Sequence, residues 1–121
     1  MNAQTLNEIA QAVHTNAKIK GFHPQDETIR EFMANQCNNL HGEVSELWDA
    51  WRAGKEYEPC DKAAKMSELG IYPLNCTEEE LADIIIRALD LSARLGIDIG
   101  RAVEAKHQYN MTREYKHGKK N

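Results

Sequence analysis

Two short carboxylate motifs stand out: Glu43-Val-Ser-Glu46 within "HGEVSELWDAWR" and Glu80-Leu-Ala-Asp83 within "TEEELADIIIRALD". Residues three apart on a helix are neighbours, with Cβ atoms about 5–6 Å apart, so each pair can aim its oxygens at one point. Each pair flanks an apolar stripe at a matching rotational position on its helix. If the two helices pack antiparallel, all the carboxylates converge in the groove between them. Two carboxylates about 5 Å apart repel by roughly 3 kcal/mol at an effective dielectric of 20. A hard divalent cation relieves that repulsion, Mg²⁺ first and Mn²⁺ second. Magnesium keeps waters and shares the phosphate oxygens of a substrate, which makes phosphate chemistry the natural expectation.

Each residue also has a plainer reading. Glu80 lies three residues after Thr77, the spacing of a helix capping box. Glu43 and Glu46 alone fit a solvated helix flank. Asp83 is a poor helix former among apolar neighbours, where a solvated charge is less expected. Arg87, four residues on, is its candidate ion-pair partner.

The elements that must position these groups are helical. A first helix is expected from about Leu6 to Lys20, opened by Thr5 and Glu8 as a capping box and stopped by Gly21. A long second helix runs from about Glu27 to Ala53. Its face is traced by Ile29, Phe32, Met33, Gln36, Cys37, Leu40, Val44, Leu47, Trp48 and Trp51. Residues 54–76 are less regular, with a short helix near Lys62–Leu69. A third main helix starts at Thr77 and ends before Gly96. It is apolar around most of its circumference, so a central position is expected. A fourth runs from about Ile99 to Tyr109, with Asp98 as its N-cap. No strand pattern survives, and residues 1–121 read as one all-α domain, a four- to five-helix bundle.

The net charge of −4 conceals an asymmetry. Residues 1–100 carry 9 basic and 17 acidic side chains, a balance of −8, whereas residues 101–121 carry 6 basic and 2 acidic, a balance of +4. The acidic body argues against a nucleic-acid polymer as partner. The basic tail, residues 110–121, is expected to be mobile and to order on a small phosphorylated ligand. No apolar run approaches the ~18–20 residues of a membrane span, and "MNAQTLNEIA" lacks the pattern of a secretory signal. Cys37, Cys60 and Cys76 are widely spaced, as for reduced thiols in a cytoplasmic protein.

"GEVSELWDAWR", "EEELADIIIRALDLSARLGIDI" and "AKHQYNMTREYKHGKK", in that order, resemble the MazG-like nucleotide pyrophosphohydrolases of the all-α NTP pyrophosphatase superfamily. The resemblance covers roughly residues 20–120, with a longer connector over residues 47–79 than in compact members. It implies Mg²⁺-dependent hydrolysis of nucleoside triphosphates to the monophosphate and pyrophosphate, as nucleotide-pool house-cleaning. It implies Glu43, Glu46, Glu80 and Asp83 as metal ligands. Glu46 is the choice for the general base, with Glu43 the other catalytic glutamate. Lys106, Asn110 and Arg113 match the C-terminal motif that holds phosphate and sugar. His23 and Arg87 are the candidates to face the base. Relatives are homodimers or homotetramers. Trp48 and Trp51 fit either core packing or base stacking.

Two other function classes frame the test. A metal-carboxylate oxidase on a ferritin-like bundle uses two Glu-x-x-His motifs, and Glu104-Ala-Lys-His107 supplies one. A non-catalytic helical nucleotide- or protein-binding module does not need all the carboxylates.

Overall fold

The computed structural model describes residues 2–115. Lys116, His117, Lys119 and Lys120, the end of the expected basic tail, lie outside the described residues. Among the described residues the protein is all-α, with α1 (Ala3–Ile19), α2 (Ile29–Arg52), α3 (Ala63–Glu68), α4 (Cys76–Arg94) and α5 (Ile99–Thr112). No helix among them is long and apolar enough to cross a membrane. The chain divides into two compact units, one spanning His23–Ala88 and the other joining the residues up to Phe22 with those from Leu89 onward.

In the His23–Ala88 unit, α2 starts at a full capping box. Thr28 accepts from the Glu31 backbone N–H at 3.1 Å, and the Glu31 carboxylate accepts from the Thr28 N–H at 3.2 Å. The helix then runs 24 residues, with Phe32 and Gln36 buried on one face, and ends before Gly54, whose φ is +73°. The irregular stretch after it folds back on the start of α4 through backbone groups. Cys60 N–H donates to Leu74 O at 3.0 Å and Cys76 N–H to Glu58 O at 2.9 Å, a single antiparallel bridge centred on Pro59 and Asn75. Cys60 and Ala63 are buried.

The start of α4 differs from the sequence expectation in a way that matters for the site. Asn75, not Thr77, caps the helix. Its side chain accepts from the Glu78 N–H at 2.8 Å, and the Glu78 carboxylate accepts from the Asn75 N–H at 3.0 Å. The Thr77 hydroxyl instead donates to Glu56 O at 2.7 Å. The fold-back holds Thr77 and so moves the cap two residues earlier. Glu80 is thereby released from any capping role.

The central position expected for α4 is also corrected. Leu81, Ile85 and Ile86 are 46 %, 55 % and 43 % exposed, and on α2 Trp48 is 60 % exposed. A helix apolar around most of its circumference needs neighbours on every side, and this chain covers only part of that arc.

In the other unit, α1 begins earlier than expected. Its cap is Asn2, which accepts from the Thr5 N–H at 3.1 Å, so Thr5 lies inside the helix rather than capping it. Asp98 caps α5 as expected, accepting from the Arg101 N–H at 3.1 Å. Asn7 ties α1 to α5. Its amide donates to Asp98 at 2.8 Å and accepts from the Gly100 N–H at 2.8 Å. The helices approach so closely there that a Cβ at residue 100 would stand 2.1 Å from Ala3 O, which only glycine avoids. His14 Nδ1–H donates to Asp90 Oδ1 at 2.7 Å, satisfying a carboxylate that is 7 % exposed.

Candidate metal centre

Glu43 and Glu46 project from α2, and Glu80 projects from α4. One carboxylate oxygen of each lies within 4.8 Å of the others. Glu43 pairs with Arg87, while Glu46 interacts with Glu80 seven residues earlier on α4. Ascending α2 therefore means descending α4, so the two helices run antiparallel and their motifs meet. The spacing anticipates all of the carboxylates in one group; Glu43, Glu46 and Glu80 form it, without Asp83.

The electrostatics of the cluster are strained. Arg87 Nε donates to Glu43 Oε1 at 2.9 Å. Glu43 Oε2 and Glu80 Oε2 are buried with no hydrogen-bond partner. The Glu80 carboxyl is pushed up to about 7, first by burial and then by the charge and hydrogen bond of Glu46 and the charges of Glu43 and Glu79. Glu46 is exposed on the rim. Asp83 stands beside the group rather than within it. Burial raises its carboxyl, the charges of Glu43 and Glu79 raise it further, and those of Lys62 and Arg87 oppose them. Arg87 bonds Glu43 on the facing helix, not Asp83 as the four-residue spacing suggested. Unpaired buried carboxylate oxygens on converging acidic side chains fit a hard divalent cation, which supplies the missing charge and accepts oxygen ligands only.

Glu79 is a neighbour that sequence reasoning gave little weight. Its side chain is 13 % exposed and accepts from Lys62 Nζ at 2.7 Å, and Lys62 also donates to Asp61 at 2.9 Å. Cys60, Asp61 and Glu79 cluster closely enough for metal ligation. The Lys62 ammonium already serves both carboxylates there, and burial, with Glu79, keeps the Cys60 thiol up and protonated. That group reads as an ion-pair network fastening the fold-back to α4.

The remaining expected residues fall in two places. His23, in the same unit as the carboxylates, sets its ring edge against Phe32 at 5.1 Å between centroids. Lys106 and Asn110 lie one turn apart on α5, and Arg113 is the residue that ends it, with extended backbone. Lys106 Nζ and Arg113 Cζ lie over the Tyr109 ring, 5.1 and 5.6 Å from its centre, a cation–π arrangement of two cations on one aromatic. Asn110 Oδ1 is buried without a partner.

No known family, curated protein or solved structure matches the chain. The resemblance to the MazG-like enzymes stands on the two carboxylate pairs and the tail motif alone.

Proposed function

We propose that the protein is a Mg²⁺-dependent nucleoside triphosphate pyrophosphohydrolase, releasing the monophosphate and pyrophosphate. The observation that carries the reading is the convergence of Glu43, Glu46 and Glu80 from two antiparallel helices, with buried carboxylate oxygens on Glu43 and Glu80 left unpaired. Glu43 and Glu80 hold the ion throughout, Glu46 is a partial ligand free to handle a proton, and Asp83 stands next to them as the fourth candidate ligand. A bound divalent ion supplies charge neutralisation for the triphosphate and a lowered pKa for water, with Mn²⁺ an acceptable substitute for Mg²⁺.

The chain's own residues supply the rest. Arg87 fixes the Glu43 carboxylate so that one oxygen stays directed into the cluster. Glu46, the exposed carboxylate, accepts the proton of the water that attacks the α-phosphorus. The new P–O bond forms there as the bond to the β-phosphate oxygen breaks, and pyrophosphate leaves with that electron pair. Lys106, Asn110 and Arg113 are the proposed phosphate and sugar contacts on the strength of the tail motif. His23 is a proposed base contact. Arg87, the other residue proposed to face the base, is taken up by Glu43.

Assembly as a homodimer or homotetramer belongs to the same reading. Its support is the apolar surface left open by Trp48, Leu81, Ile85 and Ile86. Light scattering coupled to size exclusion measures it, and a monomer at micromolar concentration overturns it.

The test of function is pyrophosphate release from a panel of ribo- and deoxyribonucleoside triphosphates with and without Mg²⁺. Turnover that needs the metal and is abolished by Glu43→Gln supports the reading. If no nucleotide is hydrolysed, or if Glu43→Gln is fully active, the reading fails. Nucleotide binding without turnover would instead favour a non-catalytic helical module.

A further inference from the structure

Lys62 is the residue at which the irregular stretch turns into α3, and the fold-back sets its ammonium against α4. Lys62 Nζ donates to Glu79 Oε1 at 2.7 Å. Glu79 directly precedes Glu80 and lies four residues before Asp83, so Glu79 and Asp83 are neighbours on one face of α4. The ammonium therefore stands beside the same turn of helix that carries the candidate metal ligands. The charges of both Lys62 and Arg87 are felt at Asp83, where they oppose the effect of burial. Arg87 is bonded to Glu43 on the facing helix. Lys62 is a cation brought to the cluster by the stretch between α2 and α4.

The way Lys62 is held suits a group that changes partner. Its backbone is fixed on both sides: Cys60 N–H donates to Leu74 O at 3.0 Å, and Ala63 N–H donates to Cys60 O at 3.1 Å. Its side chain is 64 % exposed, and Asp61, its second partner, is 82 % exposed. Ion pairs between exposed side chains are weak and exchange readily. Glu79 is the more enclosed partner, and its charge reaches Glu80 and Asp83. A divalent ion at the cluster takes over part of the compensation of Glu79 and loosens its hold on the lysine. A triphosphate on that ion still carries net negative charge, and a lysine ammonium offers three donors to its oxygens.

We propose that Lys62 is a substrate-binding residue, whose ammonium leaves Glu79 and Asp61 and donates to phosphate oxygens of the metal-bound triphosphate. This rests on the reading of the chain as a nucleotide pyrophosphohydrolase. The ion pair with Glu79 is the resting position of the lysine, and the stretch from 54 to 76 serves to deliver it. The consequence separates binding from a merely structural role. Replacing Lys62 and replacing Glu79 break the same ion pair, but only the first removes a phosphate contact. The second leaves the lysine free to make it and takes one negative charge away from the incoming anion.

The experiment measures, by calorimetry in saturating Mg²⁺, binding of pyrophosphate and of the non-hydrolysable α,β-imido analogues of dATP, dCTP, dGTP and dTTP to the full chain. It compares the wild type with Lys62→Met, Lys62→Arg and Glu79→Gln. Lys62→Met is expected to weaken pyrophosphate and the preferred analogue by about 10- to 100-fold, the loss of one hydrogen bond to a charged group. Lys62→Arg, which keeps the charge, recovers most of that loss. Glu79→Gln binds both probes at least as tightly as the wild type. Unchanged binding by Lys62→Met, weakening by Glu79→Gln alongside Lys62→Met, or no binding of any probe overturns the proposal. Glu79→Gln decides by itself if Lys62→Met fails to fold, because weaker binding there leaves the lysine only a structural role. The two readings fail separately. Pyrophosphate binding that depends on Lys62 without turnover of any nucleotide removes the enzyme and keeps the contact. Metal-dependent turnover with normal binding by Lys62→Met removes the contact and keeps the enzyme.

Discussion

Arg87 Nε donates to Glu43 Oε1 at 2.9 Å and leaves Glu43 Oε2 buried and unpartnered. The guanidinium is thus the only charge compensation found for Glu43 among the described residues' ion pairs. Glu43 is 12 % exposed along its side chain and Arg87 35 %, so the pair is only partly screened by water. Arg87→Gln should lower unfolding free energy in EDTA by about 1–2 kcal/mol. The loss should shrink in saturating Mg²⁺, because a cation at the cluster then compensates Glu43 instead. Urea unfolding with and without metal measures both. An equal loss in the two conditions would place Arg87 outside the electrostatics of the cluster.

Glu80 provides the pH dependence. Its carboxyl stands at about 7 in the fold against an ordinary 4.5. A raised carboxylate pKa means the folded state favours the proton. The associated stability is fully present below pH 4.5 and is lost as pH rises to about 7. Glu80→Gln makes the neutral form permanent. In EDTA it should therefore raise the melting temperature at pH 8 and change it little at pH 4. Thermal melts across that range read the crossover directly, and a uniform shift at all pH values would contradict it.

The start of α4 shows both how much of the molecule was legible and where legibility ended. Thr77 and Glu80 have the spacing of a capping box, and so do Asn75 and Glu78 in reality. The choice between them was made by Glu56, whose backbone carbonyl accepts from both the N–H and the hydroxyl of Thr77 at 3.1 and 2.7 Å. Backbone acceptors leave no side-chain signature, so the fold-back that positions Glu56 could not be seen in residue types. By contrast, the Asp98 cap, the helical course of the carboxylate motifs and their meeting depend on side-chain type and period, and these were readable. The Lys62–Glu79 pair was not, since its partners are joined by the same fold-back. Asn75→Ala should cost about 1 kcal/mol as the loss of a cap. Thr77→Val should cost about 1 kcal/mol as the loss of one hydrogen bond. Chemical denaturation that finds Asn75→Ala neutral would restore Thr77 as the cap.

Glu43 and Glu46 are three residues apart on one helix but differ in surroundings, and that difference assigns them different work. Glu43 is held by Arg87 with a buried free oxygen, as suits a residue that binds metal throughout. Glu46 is exposed at the rim of the cluster beside Glu80, as suits the group proposed to take the proton of the attacking water. Glu46→Gln should therefore lower kcat by about 10²–10⁴-fold while thermal stabilisation by Mg²⁺ and a non-hydrolysable triphosphate survives. Glu43→Gln should lose both turnover and that stabilisation, because binding to the native state alone is what raises the melting temperature. If Glu46→Gln also abolishes the metal-dependent shift, Glu46 is a ligand first, and the proton acceptor has to be sought among Glu80 and Asp83.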